Sequence, residues 1–126
     1  MKTIITTNKA PQPIGPYSQA VLVENTLYTS GQIALHPETG ELVTDSIEKE
    51  TTQVMNNLKA VLEAADMTFE NVIKASIFIS DMNSFGAINA IYGQYFEEAT
   101  APARETVEVA NLPKFVNVEI SIIAVK

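Results

Sequence analysis

From Val116 to Val125 the chain reads VNVEISIIAV, an alternation with a period of two. Val116, Val118, Ile120, Ile122 and Ala124 fall on one face, and Asn117, Glu119, Ser121, Ile123 and Val125 on the other. That pattern is a β-strand with one side committed to a core. The second side is mixed, with the carboxylate of Glu119 among apolar neighbours. Whatever fold contains this strand must lay an apolar layer against the first face and deal with the second.

Two amphipathic segments supply the layer. One helix is predicted from about Ser46 to Ala65, where Ile47, Val54, Leu58, Val61, Leu62 and Ala65 recur at helical spacing and Asp45 with Glu48 makes a capping-box-like start. A second is predicted over Ser84–Glu98, with a core stripe of Phe85, Ile88, Ile91, Tyr92, Tyr95 and Phe96. Short strands are expected at KTIITT, at QAVLVEN and at TLYTSGQIAL, the last interrupted at Gly31 by a bulge or a close backbone approach. VIKASIFIS forms another, with Ile73, Ala75, Ile77 and Ile79 alternating with Lys74, Ser76 and Ser80. The proline-rich APQPIGPYSQ reads as an ordered loop over the surface. The order strands, helix, strand, helix, strands predicts an α+β or mixed α/β sheet with both helices on one face, in a single domain over residues 1–126.

The segment PARETVEV (Pro102–Val109) opens a strand with an arginine. Val107 and Val109 face one way; Arg104, Thr106 and Glu108 face the other. If this strand and the last one form an antiparallel hairpin about NLP, Thr106 lies opposite Glu119 and Arg104 opposite Ser121. Arg104, Thr106 and Glu119 would then gather on one side of the sheet. That side would also hold Ile123 and Val125, with no remaining element to cover it. Self-association across it is the expected remedy.

Composition narrows the chemistry. Fifteen acidic residues against eight basic ones give a formal charge of −7, and no Lys/Arg cluster exists to displace counterions from a phosphate backbone, which argues against nucleic acid as a partner. No cysteine is present, so disulfides, thiol nucleophiles and thiolate metal sites are excluded. The only histidine, His36, sits in the turn LHPETGEL, so a histidine-rich metal site cannot be assembled. The start MKTIITTNKAP lacks an apolar signal core, and no run is long enough to span a membrane, in keeping with a cytoplasmic location. No phosphate loop, dinucleotide fingerprint or nucleophile elbow is found.

Two residues stand out as carriers of chemistry. Arg104 either pairs with an internal acid such as Glu105 or Glu119, or offers its planar fork to a carboxylate or phosphate. Glu119 on an apolar strand either takes a charged partner or has its pKa raised, and both outcomes suit a group that orients water or moves protons. Thr29–Gln32, TSGQ, sets a hydroxyl beside a glycine backbone, a weak oxyanion-binding signal.

Taken together, IGPYSQ (Ile14–Gln19), TSGQI (Thr29–Ile33), PAR (Pro102–Arg104) and VANLPK…VEI (Val109–Ile120) resemble the RidA family of reactive-intermediate deaminases, also called the YjgF or Rid family. The resemblance runs over nearly the whole chain. It implies a chorismate-mutase-like fold assembled as a homotrimer, with helices outside and ligand clefts between subunits. It also implies hydrolysis of enamines and imines, such as 2-aminoacrylate, 2-iminopropanoate and 2-iminobutanoate, to 2-keto acids and ammonia. Such substrates come from pyridoxal-phosphate-dependent dehydratases, and no cofactor is implied for the deaminase itself. By motif, Arg104 would hold the substrate carboxylate and Glu119 would position the attacking water. Tyr17, Ser30 and Gly31 would line the cleft, and Asn89 in GAINAIYGQYF would join the site, although alone it reads equally as a helix-surface amide. Many active relatives read Arg-Ser-Cys-Val where this chain has Arg104-Glu105-Thr106-Val107. The Thr106 hydroxyl can still bond water or substrate, whereas Glu105 introduces a charge beside the arginine. A non-catalytic module binding 2-keto acids or a regulatory partner in the same cleft remains the alternative, and ribonuclease or translation inhibition is a third.

Overall fold

The computed structural model describes all 126 residues. Its alternating C-terminal segment becomes β6 (Val118–Val125), in the interior of a six-stranded mixed sheet. The other strands are β1 (Lys2–Ile5), β2 (Ala20–Val23), β3 (Thr26–Thr29), β4 (Val72–Ile79) and β5 (Ala103–Glu108). Their order across the sheet is β1-β2-β3-β6-β4-β5, antiparallel throughout except for the parallel pair β4–β5.

Helix α1 (Ile47–Ala64) buries Val54, Met55, Leu58, Val61 and Leu62 along one stripe. Its N-cap is Ser46, whose hydroxyl accepts from the Lys49 amide, and not the expected Asp45. At the other end Asp66 turns left-handed (φ 58°), so that Met67 N bonds Leu62 O and Asp66 N bonds Glu63 O. Helix α2 (Phe85–Tyr92) is shorter than its apolar pattern, because the chain tightens into a 3₁₀ turn over Gly93–Tyr95. Both helices share one core with Ala75, Ile77, Ile120 and Ile122, on the same face of the sheet, as the element order predicts. Truncating any of the fully buried Leu58, Leu62 or Ile120 to alanine is a change that costs about 2–5 kcal/mol in such cores.

Two details of the strands depart from the alternation. A bulge between Val72 and Lys74 leaves Ile73 exposed, and Val72 takes the core position in its place. More consequentially, β5 and β6 do not form a hairpin. The α2 crossover returns the chain parallel to β4, so β5 takes the sheet edge and β4 separates it from β6. Arg104 stands beside Ala75, and Thr106 beside Ile77. Across β4, those two residues pair with Ile122 and Ile120. Residues abreast in a sheet share a face, so Arg104 and Thr106 point to the helix side, while Glu119, abreast of Phe78, points to the other.

That other face carries Val21, Tyr28, Phe78, Val107, Ile123 and Val125, none of them fully buried. A polar insert interrupts it. The Ser76 hydroxyl donates a short hydrogen bond to Glu105, and Lys74 Nζ lies 3.0 Å from the same carboxylate. These contacts hold the Glu105 carboxyl below the ordinary glutamate range, the Ser76 bond contributing most.

Candidate functional site

The residues singled out by sequence fall into two clusters on opposite faces of the sheet. The first is built by β5 and α2. Phe85, Asn89 and Tyr92 are spaced four and three apart on α2, which brings them to one helix face over the sheet edge. Arg104 rises to meet them. Its Nη1 donates to Asn89 Oδ1 at 2.6 Å, and its guanidinium carbon lies 5.6 Å and 5.1 Å from the Phe85 and Tyr92 ring centroids. No carboxylate pairs with it: the ion pairs of the chain are Lys49–Asp45 and Lys74–Glu105. The internal ion pair weighed for Arg104 is therefore not made, and Glu105 points away from it.

Beside the arginine, the buried hydroxyls Thr106 Oγ1 and Tyr92 Oη have no hydrogen-bond partner. Buried polar atoms are nearly always satisfied, so a pair of orphans next to an unpaired guanidinium marks a place for a polar ligand. Burial raises the Tyr92 pKa, against the opposing pull of the Arg104 cation.

The second cluster surrounds Glu119. After β3 the chain bends and rejoins the sheet at Gln32, whose N–H and carbonyl bond Ile120 O and N at 2.8 Å and 3.1 Å. This lays the Gly31 backbone against the Glu119 side chain. A Cβ at Gly31 would sit 2.5 Å from Glu119 Oε2 and 2.7 Å from Cδ, so the Glu119 side chain keeps this position only against a glycine. Glu119 is half-buried, lies within 4.0 Å of no cation, and has its pKa raised by that burial. It borders a cavity of about 90 Å³ with Gly31, Tyr17, Pro11, Gln12, Ile14 and Lys114 among its walls.

The proline loop forms one wall because Gln19 pins it. Buried Gln19 accepts from Thr7 N, and its amide lies within donating distance of the carbonyls of Thr7, Ala10 and Pro11. Ser30 is not in the lining. Its hydroxyl donates to Ser18 O at 2.6 Å, which fastens the loop to the end of β3. Tyr17, Gly31 and Glu119 are thus brought together, as are Arg104, Asn89 and Thr106, but the two groups are not brought to each other within one chain. Phe85, Tyr92, Gln19 and Lys114 escaped the sequence reading. Their helical spacing marks the first two only as core, and nothing in IGPYSQ or VANLPK assigns a role to Gln19 or Lys114.

The family model described as Endoribonuclease L-PSP matches residues 7–126. A RutC family protein of Synechocystis, slr0709, is 54% identical over 123 residues, 97% of this chain and 95% of that one. A goat protein named 2-iminobutanoate/2-iminopropanoate deaminase is 47% identical over 126 residues, 100% of this chain and 91% of that one. Among solved structures, YyfA of Yersinia pestis, described as a conserved Rid family protein, superposes with a TM-score of 0.96 at 48% identity, over 100% of both chains. Full-length likeness on this scale, in sequence and in fold, makes the chain a member of the RidA/YjgF/Rid family.

Proposed function

We propose that the protein hydrolyses small 2-enamines and 2-imines, 2-aminoacrylate with its tautomer 2-iminopropanoate and 2-iminobutanoate, to 2-keto acids and ammonia. One observation supports the reading: a guanidinium without a carboxylate partner and a glutamate poised by burial stand on opposite faces of one sheet, and we read them as two half-sites. The half-sites face opposite ways, so a second copy must supply the missing half, and the uncovered, half-apolar sheet face is the surface that recruits it. The homotrimer that the family resemblance implies is the arrangement proposed here, with each cleft formed by Arg104, Asn89 and Thr106 of one protomer and Glu119, Gly31 and Tyr17 of its neighbour. Ile14 and Tyr17, 77% and 49% exposed beside the Glu119 cavity, are walls left open for that neighbour.

In such a cleft the substrate carboxylate sits on the Arg104 fork, and the unpartnered Thr106 hydroxyl gains a bond to ligand or water. The protonated imine carbon is already electrophilic, so the enzyme has only to orient it and manage protons. Water adds to that carbon as the C=N π pair moves to nitrogen, and Glu119 takes the proton released. The resulting carbinolamine receives that proton on nitrogen, the C–N bond breaks, and ammonia leaves as the hydroxyl becomes the ketone. Overall, R–C(=NH₂⁺)–COO⁻ and H₂O give R–CO–COO⁻ and NH₄⁺. The steps use only protein groups and water. Pyridoxal-phosphate-dependent dehydratases would supply the substrates, in the cytoplasm.

The test is a coupled assay with a threonine dehydratase. Added protein is expected to speed keto-acid release, and Arg104→Ala to abolish the acceleration. Binding of 2-oxobutanoate that Arg104→Ala removes, without any acceleration by wild type, would turn the reading into that of a binding module. The ribonuclease in the family description is disfavoured by the charge of −7, and salt-dependent RNA binding would revive it.

A further inference from the structure

Lys114 is a cation at the Glu119 cavity that the reaction above does not use. It borders the same space as Glu119, Tyr17 and Gly31. No acid lies within 4.0 Å of it, in a chain whose acids outnumber its bases 15 to 8. Nor does it neutralise Glu119, whose pKa burial raises with no cation to offset it. An exposed lysine left without an acid partner in so acidic a protein, on the wall of a cavity, has a flexible stem free to carry its charge to a ligand anion.

Its backbone is held for the task. Phe115 N bonds Leu112 O at 2.9 Å, closing a turn with Pro113 at the second position and Lys114 at the third. Lys114 is left-handed there (φ 56°, ψ 19°), as is Phe115 (φ 56°), in places that a glycine or asparagine fills without strain. Buried anchors grip both ends. Leu112 packs inward on one side. On the other, the fully buried Glu50 of α1 accepts from Asn117 N, Asn117 Nδ2 and Val118 N at 2.7, 2.8 and 3.2 Å. The turn is clamped two residues before Glu119, in a strained form that presents a lysine.

We propose that Lys114 is a specificity residue of the cleft, receiving a second, distal carboxylate, so that the substrate class extends to 2-imino dicarboxylates. This rests on the cleft assigned above. There Arg104 of one protomer takes the carboxylate next to the imine, Glu119 of its neighbour faces the imine carbon, and that neighbour's Lys114 meets the far end of the molecule. A flexible four-carbon stem ending in three donors suits four- and five-carbon chains alike, where a rigid fork would select one.

The experiment is calorimetric binding of 2-oxoglutarate and 2-oxobutanoate to the full-length protein, read as the ratio of their affinities. Lys114→Met is expected to lower the ratio about tenfold, the loss of one charge-assisted contact, and Lys114→Arg to keep most of it. Lys114→Gly should lower the ratio equally while raising the melting temperature, which separates the charge from the backbone strain. A ratio unchanged in Lys114→Met overturns the inference and leaves the deaminase reading intact. Both acids still binding to Arg104→Ala overturns the cleft itself, and with it the inference. A ratio that falls in a protein without turnover upholds Lys114 as a ligand residue and removes only the reaction.

Discussion

Glu119 holds its proton to a higher pH than an exposed glutamate because burial penalises its charged form and no cation compensates. If it is the base of the reaction, kcat/KM falls as pH is lowered through a value above the ordinary glutamate pKa of about 4.3, and Glu119→Gln loses both the limb and most of the rate. A pH–rate profile measures this. The same shift acts on stability with a definite sign. Between the unfolded and folded pKa values the folded state binds more protons, so stability declines as pH rises through that window. Glu119→Gln is therefore expected to melt higher than wild type at neutral pH, with the difference fading below about pH 4 in melts across a pH series. Glu105 behaves in the opposite sense, its lowered pKa favouring the fold above the ordinary glutamate range and losing that favour on acidification. Alternation alone put the Glu105 side chain on the face away from Arg104. Its partners Ser76 and Lys74 were illegible, because naming them requires knowing that β4 is its neighbour.

At the scale of elements, Gly31 and Glu50 decide how β6 is seated. Gly31→Ala puts a methyl 2.5 Å from a carboxylate oxygen, so the Glu119 side chain must swing away. Loss of turnover with a folded protein and a near-normal circular dichroism spectrum is the expected outcome. Glu50→Ala strips three donors of a buried acceptor, and urea denaturation should record a loss of about 2–4 kcal/mol. Elements with strong periodicity, α1 and β6, could be read from the sequence to within a residue or two. So could the interruption at Gly31, because a glycine inside a strand announces close approach. What could not be read is which strands are neighbours. The run VANLPKFVN connects an adjacent hairpin and a connection past the end of β4 equally well, and local pattern does not register the difference. One wrong adjacency put Arg104 and Thr106 on the same face as Glu119, where the true order of strands sets them on opposite faces, although every alternation within β5 and β6 holds.

For the molecule as a whole, the separation of Arg104 from Glu119 on opposite faces carries a prediction. Arg104→Ala and Glu119→Gln chains, each inactive alone, are expected to recover about a quarter of the wild-type rate when unfolded and refolded together in equal amounts, the chance that random mixing pairs an intact anchor with an intact acid. No recovery would mean that both residues of a working cleft come from one chain. Sedimentation velocity should find a homotrimer at micromolar concentration, and Val107→Asp or Ile123→Asp on the uncovered face should dissociate it and remove turnover together.

The anchor and the acid lie back to back on one sheet, and this has a genetic meaning. With clefts shared between protomers as proposed, an allele whose product still assembles but lacks both residues would disable two of the three clefts of any homotrimer it joins. Inheritance of such a defect is then partly dominant, whereas an allele that merely fails to fold is recessive.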